Sequence, residues 1–406
     1  MVAPRPPSND NLLPSELPQS ARWIEALDRQ TGIIMGIFVT AGFEPIAPAV
    51  IQPADVFLDL IGEDLRARTY VFTDPDGAEL CLRPDLTIPA CRLYLDRHRE
   101  STLPARYTYS GGVFRYQPAG SSLTHPREIR QAGIESFAAA DPGRAEAEIL
   151  ALSVEAVRAA GLRAFRLRIG DLGIFNALLE GLDMPLRWRA RLKHHFWRPE
   201  AFRAQLARLV AGGSSASRLP AALVAALETA PSEDAAAIVG DHLVELGLEA
   251  TGTRGIDEIA EQLLGEIADL RAPPLGASAA AALDAYLAVA TPAPMAADRV
   301  RKLAREHRIG IEPAVTAFER RLSLAAEEGV DLTQAQFSGG FGRAFEYYTG
   351  FVFEILSPAI GDTTPIGGGG RYDTLVEAIS GNLRVPAVGA AVHTERLLLA
   401  VRGGRP

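Results

Sequence analysis

Gly367-Gly368-Gly369-Gly370-Arg371-Tyr372-Asp373 is the stretch on which the reading of this chain turns. Glycine lets a backbone lie against a neighbour or take φ > 0, at a penalty of up to ~1 kcal/mol per residue relative to alanine. Four in succession, ahead of a cation, a phenol and a carboxylate, suit either a flexible surface loop or a backbone built against a ligand. The run lacks the Gly-Lys-Ser/Thr ending that would set a lysine and a hydroxyl on nucleotide phosphates. Its neighbours select the wall of a pocket.

Outward from that run, composition sets the limits. A chain of 406 residues, 48% hydrophobic and 22% charged, suits a soluble protein of two domains, or of one domain with a large insertion. Cys81 and Cys91 sit outside any CxxC or Cys/His spacing, which excludes a disulfide scaffold and a zinc site and suggests reduced thiols. The N-terminal Met1 to Ser8 lacks the apolar core of a secretory signal, and Gly32 to Phe43 is too short to span a bilayer, so a cytoplasmic protein without membrane partners is expected. A net charge of -9 offers no global attraction for nucleic acid. His194-His195 has neither the spacing nor the carboxylate company of a metal site, and no cofactor is implied.

Along the chain, Trp23, Ile24, Leu27, Ile34 and Phe38 recur at helical intervals within Ala21 to Ala41. Thr69 to Thr73 and Ala78 to Leu82 flank Asp74-Pro-Asp-Gly77, the pattern of a hairpin. Arg106 to Tyr116 and Arg127 to Phe137 suggest a second strand pair, so antiparallel sheet is the simplest expectation. Past Gly173 the sequence becomes rich in Ala, Leu, Glu and Arg, as helices are. Strand-like sequence returns at Tyr347 to Leu356 and Ala387 to Val392, before a helix at Glu395 to Val401. The expected architecture is α+β with a helical insertion: residues 1–172 and 326–406 form the core in two parts and 173–325 the insertion. Glu319-Arg320-Arg321 is expected to be a solvated helix face.

Four segments concentrate polar chemistry: Arg83 to Pro89, Phe114 to Glu135, Arg343 to Gly350, and the glycine run. Gln131 and Glu135 are separated by an even number of residues and so share a strand face. An α-amino acid needs carboxylate or hydroxyl acceptors, an arginine and shape-defining aromatics, and all are present.

In this order and around a helical insertion, these segments resemble the catalytic domain of histidyl-tRNA synthetase, a class II aminoacyl-tRNA synthetase. Arg83 to Pro89 is similar to its RPEGT segment, Phe114 to Glu135 to motif 2, Arg343 to Gly350 to RGLDYYTG, Gly367 to Asp373 to GGGRYD, and Gly389 to Arg396 to motif 3. The resemblance implies a class II antiparallel sheet flanked by helices and a histidine-binding pocket. By that resemblance Asp85, Thr87 and Gln131 would hold the ammonium, Arg343 the carboxylate, and Glu135, Tyr348 and Tyr372 the imidazole end, with Arg115 and Tyr347 completing the site.

The departures fall where ATP and tRNA would bind. Motif 2 of the synthetase reads Phe-Arg-x-Glu, and here it reads Phe114-Arg115-Tyr116-Gln117; Thr124-His125 stand at the Gly-Arg of its loop. His393-Thr394-Glu395-Arg396 replaces Gly-Leu-Glu-Arg, which expects an imidazole invading the nucleotide site, and Ile51 replaces the carboxylate that ends motif 1. The sequence given ends ten residues after Arg396, so an anticodon-binding domain is not expected, nor is tRNA as a partner. This pattern resembles the ATP phosphoribosyltransferase regulatory-subunit family, paralogues of the synthetase. That resemblance implies no catalytic residues, a short-form catalytic subunit as partner in histidine biosynthesis, L-histidine as ligand and feedback effector, and a homodimer within a hetero-octamer. The alternative is a histidine-adenylating enzyme or truncated synthetase, since Arg115 and Arg396 are retained.

Overall fold

In the computed structural model, which describes residues 20–58, 63–98, 102–122, 124–212, 220–246, 255–342 and 347–405, the glycine run is the interior of a strand. The strands are β1 (Glu44–Pro45), β2 (Ile51–Pro53), β3 (Val71–Thr73), β4 (Glu79–Leu82), β5 (Ala105–Phe114), β6 (Glu128–Phe137), β7 (Arg166–Asp171), β8 (Ala290–Pro292), β9 (Ala335–Ser338), β10 (Phe351–Ser357), β11 (Gly361–Arg371) and β12 (Ala387–His393). Helices are α1 (Ala21–Thr40), α2 (Asp55–Leu58), α3 (Glu63–Arg66), α4 (Thr87–Arg97), α5 (Pro142–Ala159), α6 (Leu172–Gly181), α7 (Leu186–His195), α8 (Pro199–Val210), α9 (Ala221–Thr229), α10 (Ala235–Glu245), α11 (Ile256–Arg271), α12 (Ala277–Leu287), α13 (Ala296–Glu306), α14 (Glu312–Glu327), α15 (Asp373–Ser380) and α16 (Thr394–Val401).

Among the described residues, nine strands form one sheet in the order β1-β5-β6-β12-β11-β10-β7-β9-β8. Its middle pairings are antiparallel, while β1 with β5 and β7 with β9 run parallel, so the sheet is mixed where an antiparallel one was expected. The parallel partners arise because β7 and β9, which hydrophobic alternation in so few residues did not reveal, are reached through long excursions of the chain. The hairpin of β3 and β4 forms, with Gly77 at φ +87 closing the turn and Asp74 Oδ1 accepting from the Asp76 and Ala78 amides.

Two compact units emerge. The first comprises Met1–Ala177, Leu287–Lys302 and Ile311–Pro406, and the second Leu178–Tyr286 with Leu303–Gly310. In the first, α1 starts at Ser20, whose hydroxyl accepts from the Trp23 amide, and buries Trp23, Leu27, Gln30, Ile34 and Phe38 at helical spacing. Residues 173–177, 287–302 and 311–325 were expected in the insertion but belong to this unit: α14, for one, packs on α5, with Phe318 edge-on to Phe337 of β9. Arg321 is likewise no solvated residue. It is buried and ion-paired with Glu146 and Asp171, because it shares a helix face with Phe318, Leu322 and Ala325. Arg320, its neighbour, does face solvent, pairing with Asp141 at 2.6 Å.

In the second unit Leu223, Leu227, Ala235, Val239, Ala260 and Ile267 form an apolar cluster. Asp269 of α11 is buried there and accepts from Arg187, from Arg191 and from Trp188 Nε1, the last at 2.6 Å. Among the described residues no helix is long and apolar enough to cross a membrane.

Candidate functional site

The register of the central strands builds the site. One row across the sheet runs Tyr107–Glu135–Gly389–Gly370–Val352, and the next on the same face runs Tyr109–Gly133–Ala391–Gly368–Glu354. None of Gly367 to Gly370 has positive φ, so the glycines are used for the space a Cβ would fill, not for backbone freedom. A Cβ on Gly133 would lie 2.6 Å from the Tyr109 ring, and one on Gly370 would lie 3.0 Å from the Tyr348 ring. On Gly389 it would lie 1.5 Å from Glu135 Oε2. Each glycine is thus a seat for a neighbour's side chain, and the sheet face becomes a floor of tyrosines with Glu135 seated among them.

Glu135 is the hub of that floor. Its carboxylate accepts from Thr87 Oγ1 at 2.8 Å, from the Tyr109 hydroxyl at 2.8 Å and from the Tyr372 hydroxyl. Burial pushes its pKa up to about 7, against the pull of these three donors, which favour the charged form. Asp85, just ahead of α4, accepts from the Ile88 amide at 3.2 Å and from the Tyr347 hydroxyl at 3.4 Å. Burial raises it to about 6, offset in part by the Ile88 amide, by Arg115 and by Tyr347. Two carboxyls whose pKa values lie near neutrality can meet a cationic ligand as acceptors without both being charged in its absence.

Above the floor opens a cleft of about 410 Å³, mouth included, lined by Asp85, Thr87, Arg115, Gln131, Tyr347, Tyr348, Gly368, Gly389, Ala390, Ala391 and His393. Of the residues expected to bind a ligand, the fold therefore brings Asp85, Thr87, Arg115, Gln131, Tyr347 and Tyr348 together. Glu135 and Tyr372, expected to line the imidazole end, are instead buried, 0% and 1% exposed. The cleft meets Glu135 through Thr87 and Gly389, which line it and touch that carboxylate. Arg343 lies outside the described residues.

Two motif residues that do not line the cleft, Arg396 and Gln117, are engaged with the protein itself. Arg396 Nε donates to the Thr124 carbonyl at 2.7 Å and its Nη1 to the Pro365 carbonyl at 2.9 Å. Burial, and Arg115 after it, bring Arg396 down to about 10. Gln117 is buried, taking a 2.6 Å bond from Arg68 and giving one of 2.8 Å to the Pro126 carbonyl. His393 lines the cleft with Nε2 3.4 Å from Gln131 Nε2.

A profile of the histidyl-tRNA synthetase family matches residues 14–245 and 235–397. Relatives named ATP phosphoribosyltransferase regulatory subunit are similar nearly end to end. That of Chelativorans sp. is 35% identical over 360 residues, 88% of this chain and 93% of its own. That of Brucella anthropi is 33% identical over 353 residues, 87% of this chain and 92% of its own. The chain belongs to the ATP phosphoribosyltransferase regulatory-subunit family. Solved structures agree on a histidyl-tRNA synthetase-like class II fold. One described as an ATP phosphoribosyltransferase regulatory subunit/histidyl-tRNA synthetase from Bacillus halodurans superposes with a TM-score of 0.67 at 20% identity, covering 97% of this chain and 82% of that one. A histidyl-tRNA synthetase from Nostoc sp. gives 0.62 at 16% identity, covering 97% and 76%.

The sequence reading missed Tyr109 and Gly389 as parts of the site, whereas the glycine run was read as pocket wall and His393 as an intruding imidazole, and Gly368 and His393 do line the cleft. Tyr109 carried a signal: Tyr107 and Tyr109 alternate with Thr108 on a strand paired with the one bearing Glu135. The seating of Glu135 over Gly389 carried none, because it depends on register between strands more than 250 residues apart.

Proposed function

We propose that this chain is the non-catalytic regulatory subunit of an ATP phosphoribosyltransferase, needed by its catalytic subunit for the first step of histidine biosynthesis, and that its cleft senses L-histidine. The observation that carries the reading is the lining of the cleft. Its Asp85, Thr87 and Tyr347 end offers carboxylate and hydroxyl groups suited to an amino acid's ammonium. Arg396 and Gln117, the motif residues that by resemblance would meet a nucleotide, do not line the cleft and donate to backbone carbonyls of the chain, and His393 occupies cleft wall, all of which disfavours a nucleotide. Arg343 would receive the ligand carboxylate, and Glu135, through Thr87 and Tyr372, would set the protonation and orientation of the imidazole end. Tyrosine rings centred 4.9 to 6.5 Å apart, Tyr347, Tyr348 and Tyr372, suit a flat heteroaromatic side chain.

Feedback then needs only that histidine bind the inhibited assembly more tightly than the active one, and a coupling of about 1 to 3 kcal/mol suffices. The assembly is a homodimer of this chain joined to catalytic subunits in a cytoplasmic hetero-octamer. Mixing the purified chain with a short-form catalytic subunit tests this: the two co-elute, activity rises, and histidine lowers it. Separate elution with no change in activity overturns the reading. Histidine-dependent pyrophosphate exchange with ATP should be absent, and clear turnover would favour the adenylating alternative that the retained Arg115 keeps open.

A further inference from the structure

The geometry points to Arg371 as a positioning residue for the cleft: its side chain and carbonyl fix the Tyr347–Gly350 segment and Tyr372 where the tyrosines meet Glu135. This rests on the histidine-sensing reading above and adds to it a residue that lines neither the cleft nor its floor.

Four contacts converge on Arg371. Its carbonyl accepts from the Thr349 amide at 2.8 Å. Its aliphatic stem lies along Gly350, where a Cβ would come within 3.0 Å of the Arg371 Cδ. Its Nε donates to Asp373 Oδ2, and its Nη1 reaches Glu146 Oε1 at 3.3 Å. Asp373 in turn accepts from the Ala387 amide at 3.0 Å, and its own amide donates to Thr349 Oγ1 at 3.2 Å. Between these two residues the Tyr372 amide donates to the Ala387 carbonyl at 2.8 Å. Tyr372 is therefore held on one side by the segment that carries Tyr347 and Tyr348, and on the other by β12, which carries Gly389.

The cation in the middle is what lets Asp373 and Glu146 lie so near each other. Glu146 is 1% exposed and is shared with Arg321, which also holds Asp171. Deleting the Arg371 charge leaves carboxylates facing one another with one cation fewer, and the cheapest relief is movement of the Asp373 end, on which Tyr372 rides. A displaced Tyr372 no longer donates to Glu135. Asp85, Cys91, Tyr109 and Tyr347 also face that carboxylate and stay in place.

Calorimetric titration of the full chain with L-histidine between pH 5.5 and 8.5 decides it, using Arg371→Met, Asp373→Asn, Tyr372→Phe and, as a control for general destabilisation, Phe318→Leu. Arg371→Met should weaken binding by roughly tenfold or more and shift the pH midpoint of binding upward, by the same amount as Tyr372→Phe, because both remove a donor that favours charged Glu135. Arg371→Lys restores part of the affinity, since one point charge replaces a forked guanidinium. Phe318→Leu leaves affinity and midpoint as in the unsubstituted chain. Should Arg371→Met not fold, Asp373→Asn carries the test, with a smaller loss and a shift in the same direction. Unchanged affinity and midpoint in these variants, with histidine bound by the parent chain, overturns the positioning role alone; no histidine binding by the parent chain overturns the sensing reading and this role with it.

Discussion

Gly389→Ala tests whether the glycine floor is built for neighbours' side chains. The new Cβ would stand 1.5 Å from Glu135 Oε2, 2.5 Å from its Cδ and 2.7 Å from the Ile134 carbonyl, which belongs to the backbone and cannot rotate away. Overpacking of this kind costs roughly 1–3 kcal/mol. Driving the carboxylate off its seat also strains bonds from Thr87, Tyr109 and Tyr372, each worth ~1.5–3 kcal/mol when one partner is charged. Losing one of them brings the expected destabilisation to about 3–5 kcal/mol, a large part of a typical stability of ~5–15 kcal/mol. Gly265→Ala is the counterpart. It lies inside α11 with nothing within 4 Å of its Cβ position, so alanine there should stabilise by up to ~1 kcal/mol. Urea unfolding followed by near-ultraviolet circular dichroism for Gly389→Ala, and by far-ultraviolet for Gly265→Ala, measures both. A Gly389→Ala midpoint within about 0.5 kcal/mol of the parent chain would refute the seating of Glu135 as described.

Three further outcomes follow from the same geometry. Glu135 has a folded pKa of about 7 against an ordinary 4.5, so the folded chain binds that proton more tightly and loses stability as pH rises from about 4.5 through 7. Glu135→Gln should flatten that part of the thermal-midpoint profile, and an identical slope would count against a buried titrating Glu135. Asp269→Ala leaves Arg187, Arg191 and Trp188 Nε1 without their shared acceptor and should destabilise the helical unit by about 3 kcal/mol, read from far-ultraviolet melting. Arg301→Ala, which removes ion pairs to the exposed Glu312 and Glu319, should change stability by less than about 1 kcal/mol in the same assay.

The sequence disclosed the parts of this fold whose signals are local. The period of Trp23, Leu27, Ile34 and Phe38 foretold α1, and Asp74-Pro-Asp-Gly77 foretold the hairpin. Composition suggested a loop or a pocket wall for Gly367 to Gly370; that they form a central strand follows from close approach to β10 and β12, which only register decides. Polar residues within short reach of a motif, such as Asp85, Thr87 and Gln131, do meet in one cleft. Arg321 was misjudged because charge was weighed ahead of position: on the stripe of Phe318 and Leu322, an arginine is buried once two carboxylates from α5 and β7 await it. Glu135 was placed in the cleft and belongs under it, since nothing local announces that three hydroxyls from separate segments converge on one carboxylate.

The sheet's order also bears on how so wide a sheet avoids stray strand pairing while it forms. Its inner strands are long, 10 residues in β5 and β6 and 11 in β11, yet the margins shrink to 2 residues in β1 and 3 in β8. Each margin contains a proline, Pro45 and Pro292, which has no amide hydrogen to offer an incoming strand. A partly made chain thus presents little template for stray strands to extend, and the glycine-rich centre, the segment least able to protect itself with side chains, stays farthest from either margin.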